Sequence, residues 1–120
     1  MKMLALAAIM AATTVAAQDA ATDPRTAEFQ ALADQVLTNY RILAMEGLCP
    51  GGDLRVADAA LPAAINAITR AALYSYGGDS NAAQPQVDAT IQRLGIAQQD
   101  VLKTIRAPDA LAVCKAFFGL

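Results

Sequence analysis

Residues 23–47, with the sequence DPRTAEFQALADQVLTNYRILAMEG, predict a long amphipathic helix. Asp23 suits the N-cap position, and Pro24 suits the first helical position, where its missing N–H has no partner to lose. Apolar side chains recur at steps of three and four, which is the spacing of one helix face. The residues of this stripe are Phe29, Leu32, Val36, Tyr40 and Leu43, widened by Leu37 and Ala44. Gly47 ends the pattern, so we expect the helix to stop near Glu46.

The segment that follows predicts a second helix whose start is complicated by a proline. Residues 48–53 read as a turn that ends in an aspartate able to cap the next helix. We expect a short turn of helix over residues 54–57 and then a helix with Asp58 as its N-cap. This placement puts Pro62 in the first turn, where the N–H that proline lacks has no intrahelical partner. The helix should run to about Tyr76.

Further helices are predicted beyond this point. Residues 77–83 form a loop, and Pro85 lies at the start of a third helix that Gly95 closes. Residues 96–106 and 109–118 form the last two segments. The side chains of the final helix that we expect to face inward are Leu111, Cys114, Phe117 and Phe118. No segment alternates apolar and polar residues as a half-buried strand does, so no strand is predicted.

Residues 1–17 have the layout of a secretory signal peptide. Lys2 gives a positive start, residues 3–12 are uncharged and apolar, and residues 15–17 are small enough for a signal peptidase. The apolar run is shorter than the roughly 20 residues of a membrane-spanning helix, so cleavage is favoured over a retained anchor. We expect cleavage at the end of this stretch, with Ala20 as the second choice, and a periplasmic or secreted location.

The two cysteines of the chain, Cys49 and Cys114, both lie in the exported part. In an oxidising compartment an even cysteine count predicts a disulfide, and two cysteines allow only one intramolecular pairing. The predicted fold class is therefore all-α: a small bundle of four to five short helices, closed by one disulfide, in a single domain over residues 18–120.

The charges and residue types exclude several function classes. The net charge of the chain is −2, and its basic residues are scattered singly, so we predict no nucleic-acid binding. No later stretch is apolar enough to predict a membrane span in the mature chain. The chain has no histidine. By ligand chemistry we therefore predict no metal site, and nucleophilic cysteine or serine catalysis would lack its usual base. We therefore predict neither an enzyme nor a cofactor.

A candidate contact surface lies around Tyr74, Tyr76 and Asp79. The two tyrosines are two residues apart, so they point to different helix faces and at least one should be exposed. Exposed tyrosines beside a loop are typical of protein contacts. The alternative is that both tyrosines pack at the helix end with their hydroxyls in water.

Function is predicted at the level of class. We expect a small exported protein without catalytic machinery that acts by protein–protein interaction, as an accessory subunit, chaperone or inhibitor. The alternative is a small carrier that binds an apolar ligand between its helices. The residues expected to line such a cavity are Met45, Leu111, Phe117 and Phe118.

Overall fold

The computed structural model describes residues 23–119, which form four helices connected by short turns. They are α1 (Pro24–Leu48), α2 (Leu54–Tyr76), α3 (Ser80–Arg106) and α4 (Ala110–Phe117). No strand occurs among residues 23–119, and the predicted all-helical class is confirmed for that range. The predicted signal peptide, residues 1–17, lies outside the described residues.

The first helix begins and ends where simple capping chemistry places it. The Asp23 side chain accepts a hydrogen bond from the Arg25 backbone N–H at 2.9 Å, and Pro24 is the first helical residue. The helix ends at Leu48, two residues beyond the predicted end. The backbone N–H of Cys49 then donates to the Met45 carbonyl and completes the last turn.

Helices α1 and α2 form an antiparallel hairpin. At one end the Tyr76 hydroxyl donates to Thr26 Oγ1 at 2.9 Å, and both groups are buried. At the other end Gly47 lies so close to Ala57 that a Cβ built on Gly47 would approach the Ala57 nitrogen to 2.5 Å. Small residues at such contacts allow two helices to pack closely.

The core lies where α3 packs against this hairpin. The largest side chains that are fully buried, one from each long helix, are Phe29, Ile68 and Leu94. Alanine fills half of the remaining core positions: Ala33, Ala44, Ala60, Ala64, Ala71, Ala72 and Ala97. The abundance of alanine in the sequence therefore serves close helix packing, because alanine loses no side-chain entropy on burial.

The prediction that Asp58 caps the second helix is wrong. Asp53 caps it, accepting from the Arg55 backbone N–H at 2.9 Å, and α2 continues without a break through Pro62. Pro62 lies on the exposed side of the helix, so the carbonyl that it leaves without a donor is open to water. Ala60 and Ala64 are buried on either side of it, and this packing holds the helix together across the proline.

The predicted break at Gly95 is also absent, so the third and fourth predicted segments form one helix. Asp79 caps α3 through the Ala82 N–H at 3.3 Å, and the helix then passes through Pro85 and Gly95. The predicted loop over 77–83 is therefore only three residues long. A glycine inside a helix costs about 1 kcal/mol. That cost is small beside the burial of Leu94, Ala97 and Val101, which follow one another along one face.

Helix α4 is attached by the disulfide between Cys49 and Cys114, which confirms the predicted pairing. The sulfur atoms are 2.10 Å apart and the two Cα atoms 5.9 Å apart. Cys114 is the single fully buried residue of this eight-residue helix. Leu111, Phe117 and Phe118 are exposed, so the prediction that they face inward is wrong. Among the described helices, α4 packs mainly along α3 and buries only Cys114, so these apolar side chains remain at the surface.

Candidate functional site

The two tyrosines of the predicted contact surface have opposite environments. Tyr74 is 74% exposed, the highest value among the exposed large apolar side chains, whereas Tyr76 is 3% exposed. The predicted difference in helix face is confirmed. Tyr76 belongs to the core, however, so we leave it out of the surface.

Tyr76 and Asp79 belong to a network that fixes one end of the molecule. The Tyr76 ring lies 5.8 Å from the ring of Phe29, and the Arg25 guanidinium lies over it at 5.4 Å. Arg25 also donates to Asp23 and to Asp79, each at 3.1 Å. We call this region the Tyr76 end; its residues are Asp23, Arg25, Thr26, Phe29, Tyr76 and Asp79.

The hydrogen bonds at the Tyr76 end shift the pKa values of its charged side chains. The Arg25 side chain lowers the pKa of both Asp23 and Asp79, with backbone N–H donors adding to the effect. The same two carboxylates raise the pKa of Arg25. Both carboxylates are held in the charged form and accept hydrogen bonds from backbone N–H groups in the first turn of a helix. Asp79 therefore acts in this structure as a helix cap and as an ion-pair partner of Arg25.

Tyr74 lies at a different place, on an open groove between α1 and α2. The groove has a volume of about 410 Å³. Helix α1 lines it with Leu32, Gln35, Val36 and Asn39. Helix α2 lines it with Ala67, Arg70, Ala71 and Tyr74. We call this feature the Tyr74 groove. No residue of α3 or α4 lines it, so it is the side of the hairpin that the described helices leave uncovered.

Most of the side chains that line the Tyr74 groove are apolar or aromatic. Leu32 and Val36 are half-buried and pack against the core, and they belong to the apolar stripe predicted for α1. Helices α2 and α3 therefore cover only part of that stripe, and the remainder faces the groove. Arg70 is the one charged residue among those that line it. Tyrosine and arginine are enriched among the residues that carry binding energy at protein interfaces.

A second groove lies at the disulfide, and it separates the residues predicted to hold an apolar ligand. This groove, of about 480 Å³, is lined by Leu111 and Phe118 together with the turn that follows α1. Met45 and Phe117 line a separate groove of about 190 Å³ between α1, α3 and α4. The four predicted carrier residues therefore do not meet in one cavity.

Among residues 23–119, no three histidine, cysteine, aspartate or glutamate side chains come together as a metal site would require. Within the same residues, no helix is long and apolar enough to cross a membrane. The Ser75 hydroxyl is buried without a hydrogen-bond partner. This hydroxyl does not indicate a catalytic role, because Ser75 lies in no nucleophile motif and has no base as a hydrogen-bond partner.

Comparison with known proteins gives no match: no family model, no curated protein and no solved structure is significantly similar to this chain.

Of the residues that line this groove, the predicted contact surface included Tyr74 but not Arg70, Leu32 or Val36. A signal for Arg70 exists, because it lies four residues before Tyr74 and therefore on the same helix face. A signal for Leu32 and Val36 also exists in the width of the apolar stripe of α1. Recognising them as groove residues requires knowing which side of the hairpin α3 covers.

Proposed function

We propose that this protein acts by binding another protein through the Tyr74 groove, as an accessory subunit, chaperone or inhibitor, and that it is not an enzyme. The observation that carries the proposal is the exposure of Tyr74 above an apolar groove that no described helix covers. Contiguous apolar surface of this kind is typical of an interaction site.

The residues of the groove support contact with a protein rather than enclosure of a small molecule. The groove is open along two helices, and its floor combines Leu32 and Val36 with two alanines. Small-molecule sites are usually concave and cover most of the ligand surface. A shallow groove with a tyrosine and an arginine at its edge instead matches the anchors of protein interfaces.

The carboxylates with shifted pKa values support a non-catalytic role. Asp23, Asp53 and Asp79 all have lowered pKa values, and in each case the first cause is a hydrogen bond from an arginine side chain. A general base near neutral pH needs a pKa moved upward toward the working pH. These three groups are moved the other way, as caps and ion-pair partners are.

We further propose that the protein works in the periplasm or outside the cell, after removal of residues 1–17. The disulfide supports an oxidising compartment, since such bonds are rare in reducing ones. The leader-like sequence supports export independently.

Site-specific crosslinking tests the binding function. In the cells that produce this protein, Tyr74 is replaced by the photo-reactive residue p-benzoylphenylalanine, and the envelope fraction is irradiated. The matched control carries the same residue at Leu73, which is 61% exposed but lines the groove between α2 and α3. We expect one discrete protein adduct from position 74 and none from position 73. Equal adducts from both positions, or none from either, would contradict the proposal.

A further inference from the structure

The Tyr74 groove lies where a further helix would pack against the hairpin of α1 and α2. Helices α1 and α2 form two grooves as an antiparallel pair, and α3 fills one of them with Leu94, Ala97 and Val101. The other is the Tyr74 groove. Four-helix bundles are completed by packing a helix in each such position. The groove therefore has the shape that an additional helix, rather than an extended strand, would fill.

The floor of the groove allows a helix to approach closely. Ala67 and Ala71 are four residues apart on α2 and line the same side of the groove. Helices pack at interaxial distances of about 8–10 Å, and the smaller separations require small side chains at the contact. Leu32 and Val36, on α1, offer the apolar surface against which leucine side chains of an incoming helix would pack.

The charge of the groove decides which kind of helix fits. Arg70 contributes a positive charge, and no carboxylate is among the residues that line the groove. The chain as a whole has a net charge of −2, so the groove has the opposite sign to the protein. An apolar helix edged with carboxylates would complement it. Two copies of this chain docked symmetrically through the groove would instead bring two Arg70 side chains together, which is unfavourable.

We infer that the Tyr74 groove receives an amphipathic helix of a different protein, with an apolar face of leucine-like residues and glutamate or aspartate at its edge. The inference rests on the proposed binding function and specifies the partner. Such a helix would present its apolar side chains at positions i, i+3, i+4 and i+7 to the groove. Its carboxylate would lie beside the Arg70 guanidinium, and Tyr74 would cover the end of its apolar face.

A pair of synthetic helical peptides tests the inference on the full chain. Both are about 18 residues long, with leucines at i, i+3, i+4 and i+7 and one tryptophan. One has glutamate at the edges of the apolar face and the other has lysine. The protein contains no tryptophan, so tryptophan emission reports on the peptide alone. We expect the glutamate peptide to bind about fivefold more tightly than the lysine peptide at low salt, and less selectively at high salt.

Charge reversal at Arg70 provides the decisive comparison. Arg70→Glu should invert the preference between the two peptides, while Arg41→Glu, an exposed arginine of α1 outside the groove, should leave it unchanged. Circular dichroism checks that both variants remain folded. Equal binding of the two peptides, or binding of neither, would overturn the acidic-helix inference. If the adduct at position 74 persists in that case, the binding function stands; if it is absent as well, the binding function fails too.

Discussion

The Tyr76 end and the disulfide end of this molecule hold their helices by opposite means. At the Tyr76 end, a buried hydrogen bond, two packed rings and an arginine shared by two aspartates join α1, α2 and α3. At the disulfide end, α4 buries only Cys114 and is joined to α1 by one covalent bond. Many weak contacts thus act at the Tyr76 end, whereas α4 is held at the other end chiefly by one covalent bond.

Because of this contrast, acid and reductants act on different parts of the molecule. Acid acts at the Tyr76 end by protonating Asp23 and Asp79, whose pKa values are lowered by Arg25. Reduction would act at the disulfide end, because there α4 is attached through a bond that thiols can exchange. The two ends therefore respond to different changes in the surroundings.

The largest predicted effect comes from breaking the disulfide. Cys114→Ser and Cys49→Ser should each lower the free energy of unfolding by about 4 kcal/mol, because a bridge across 65 residues restricts the unfolded chain strongly. Urea unfolding under non-reducing conditions measures this loss. Amide exchange should become fast at α4, since a detached helix of eight residues is too short to persist alone.

Ala116→Ser is the matched control for the cysteine variants, because it adds a serine at an exposed position of α4. Its urea midpoint should stay near that of the parent protein. If both cysteine variants unfold at the parent midpoint, the disulfide adds no stability and the contrast between the two ends disappears.

A smaller effect is expected from the buried hydrogen bond at the Tyr76 end. Tyr76→Phe keeps the ring against Phe29 but removes the donor to Thr26, which is itself buried. The loss should be about 1–2 kcal/mol, since Thr26 Oγ1 loses its partner away from water. Thermal or urea unfolding measures it, and Tyr74→Phe, at the exposed tyrosine, should cost almost nothing. A loss as large as that of the cysteine variants would contradict a network of individually weak contacts.

The smallest effect is a dependence on pH at the Tyr76 end. A carboxyl whose pKa is lowered on folding stabilises the protein above its unfolded pKa of about 4, and this stabilisation is lost as the pH falls below that value. The contribution of Asp23 and Asp79 should therefore be present at pH 7 and decline in acid. Arg25→Met should flatten this part of the stability profile, because the hydrogen bond from the Arg25 side chain is the largest cause of the lowered pKa of both aspartates.

Urea unfolding at a series of pH values from neutral to strongly acid measures the profile for the parent, for Arg25→Met and for the control Arg41→Met. Amide exchange locates the effect: acid should lower the protection factors, taken relative to the intrinsic rate at each pH, near residues 77–82 before it does so in α4. A profile for Arg25→Met that matches the parent would show that the ion pairs at this end do not respond to acid as their geometry predicts.

Local signals in the sequence predicted much of the fold. Asp23 and Asp53 lie at helix starts because their side chains accept hydrogen bonds from backbone N–H groups two residues away. Gly77 lies at a helix end because glycine tolerates the left-handed backbone conformation found there. The disulfide was predicted from the count of two cysteines together with the expected export to an oxidising compartment. These predictions needed no knowledge of which helices touch.

The failures all concern what a helix packs against. Pro62 and Gly95 favour breaks locally, but buried neighbours on both sides make a continuous helix more favourable than two short ones. The apolar residues of α4 have the spacing of a buried face, but among residues 23–119 only Cys114 of this helix is buried. For the same reason the pattern could place one tyrosine at the surface without showing that Arg70 shares a groove with Tyr74.

The disulfide also determines how the molecule would respond to mechanical force. Helices α2 and α3 lie wholly within the covalent ring that joins residues 49 and 114. Tension applied through Pro24 and Gly119 would pass along α1, across the bond and out through the last turn of α4. At roughly 3.4 Å per extended residue, the ring withholds about 220 Å of contour length until a reductant opens it. In the oxidised protein, α2 and α3 are therefore shielded from stretching, and only α1 and the final turn of α4 bear the load.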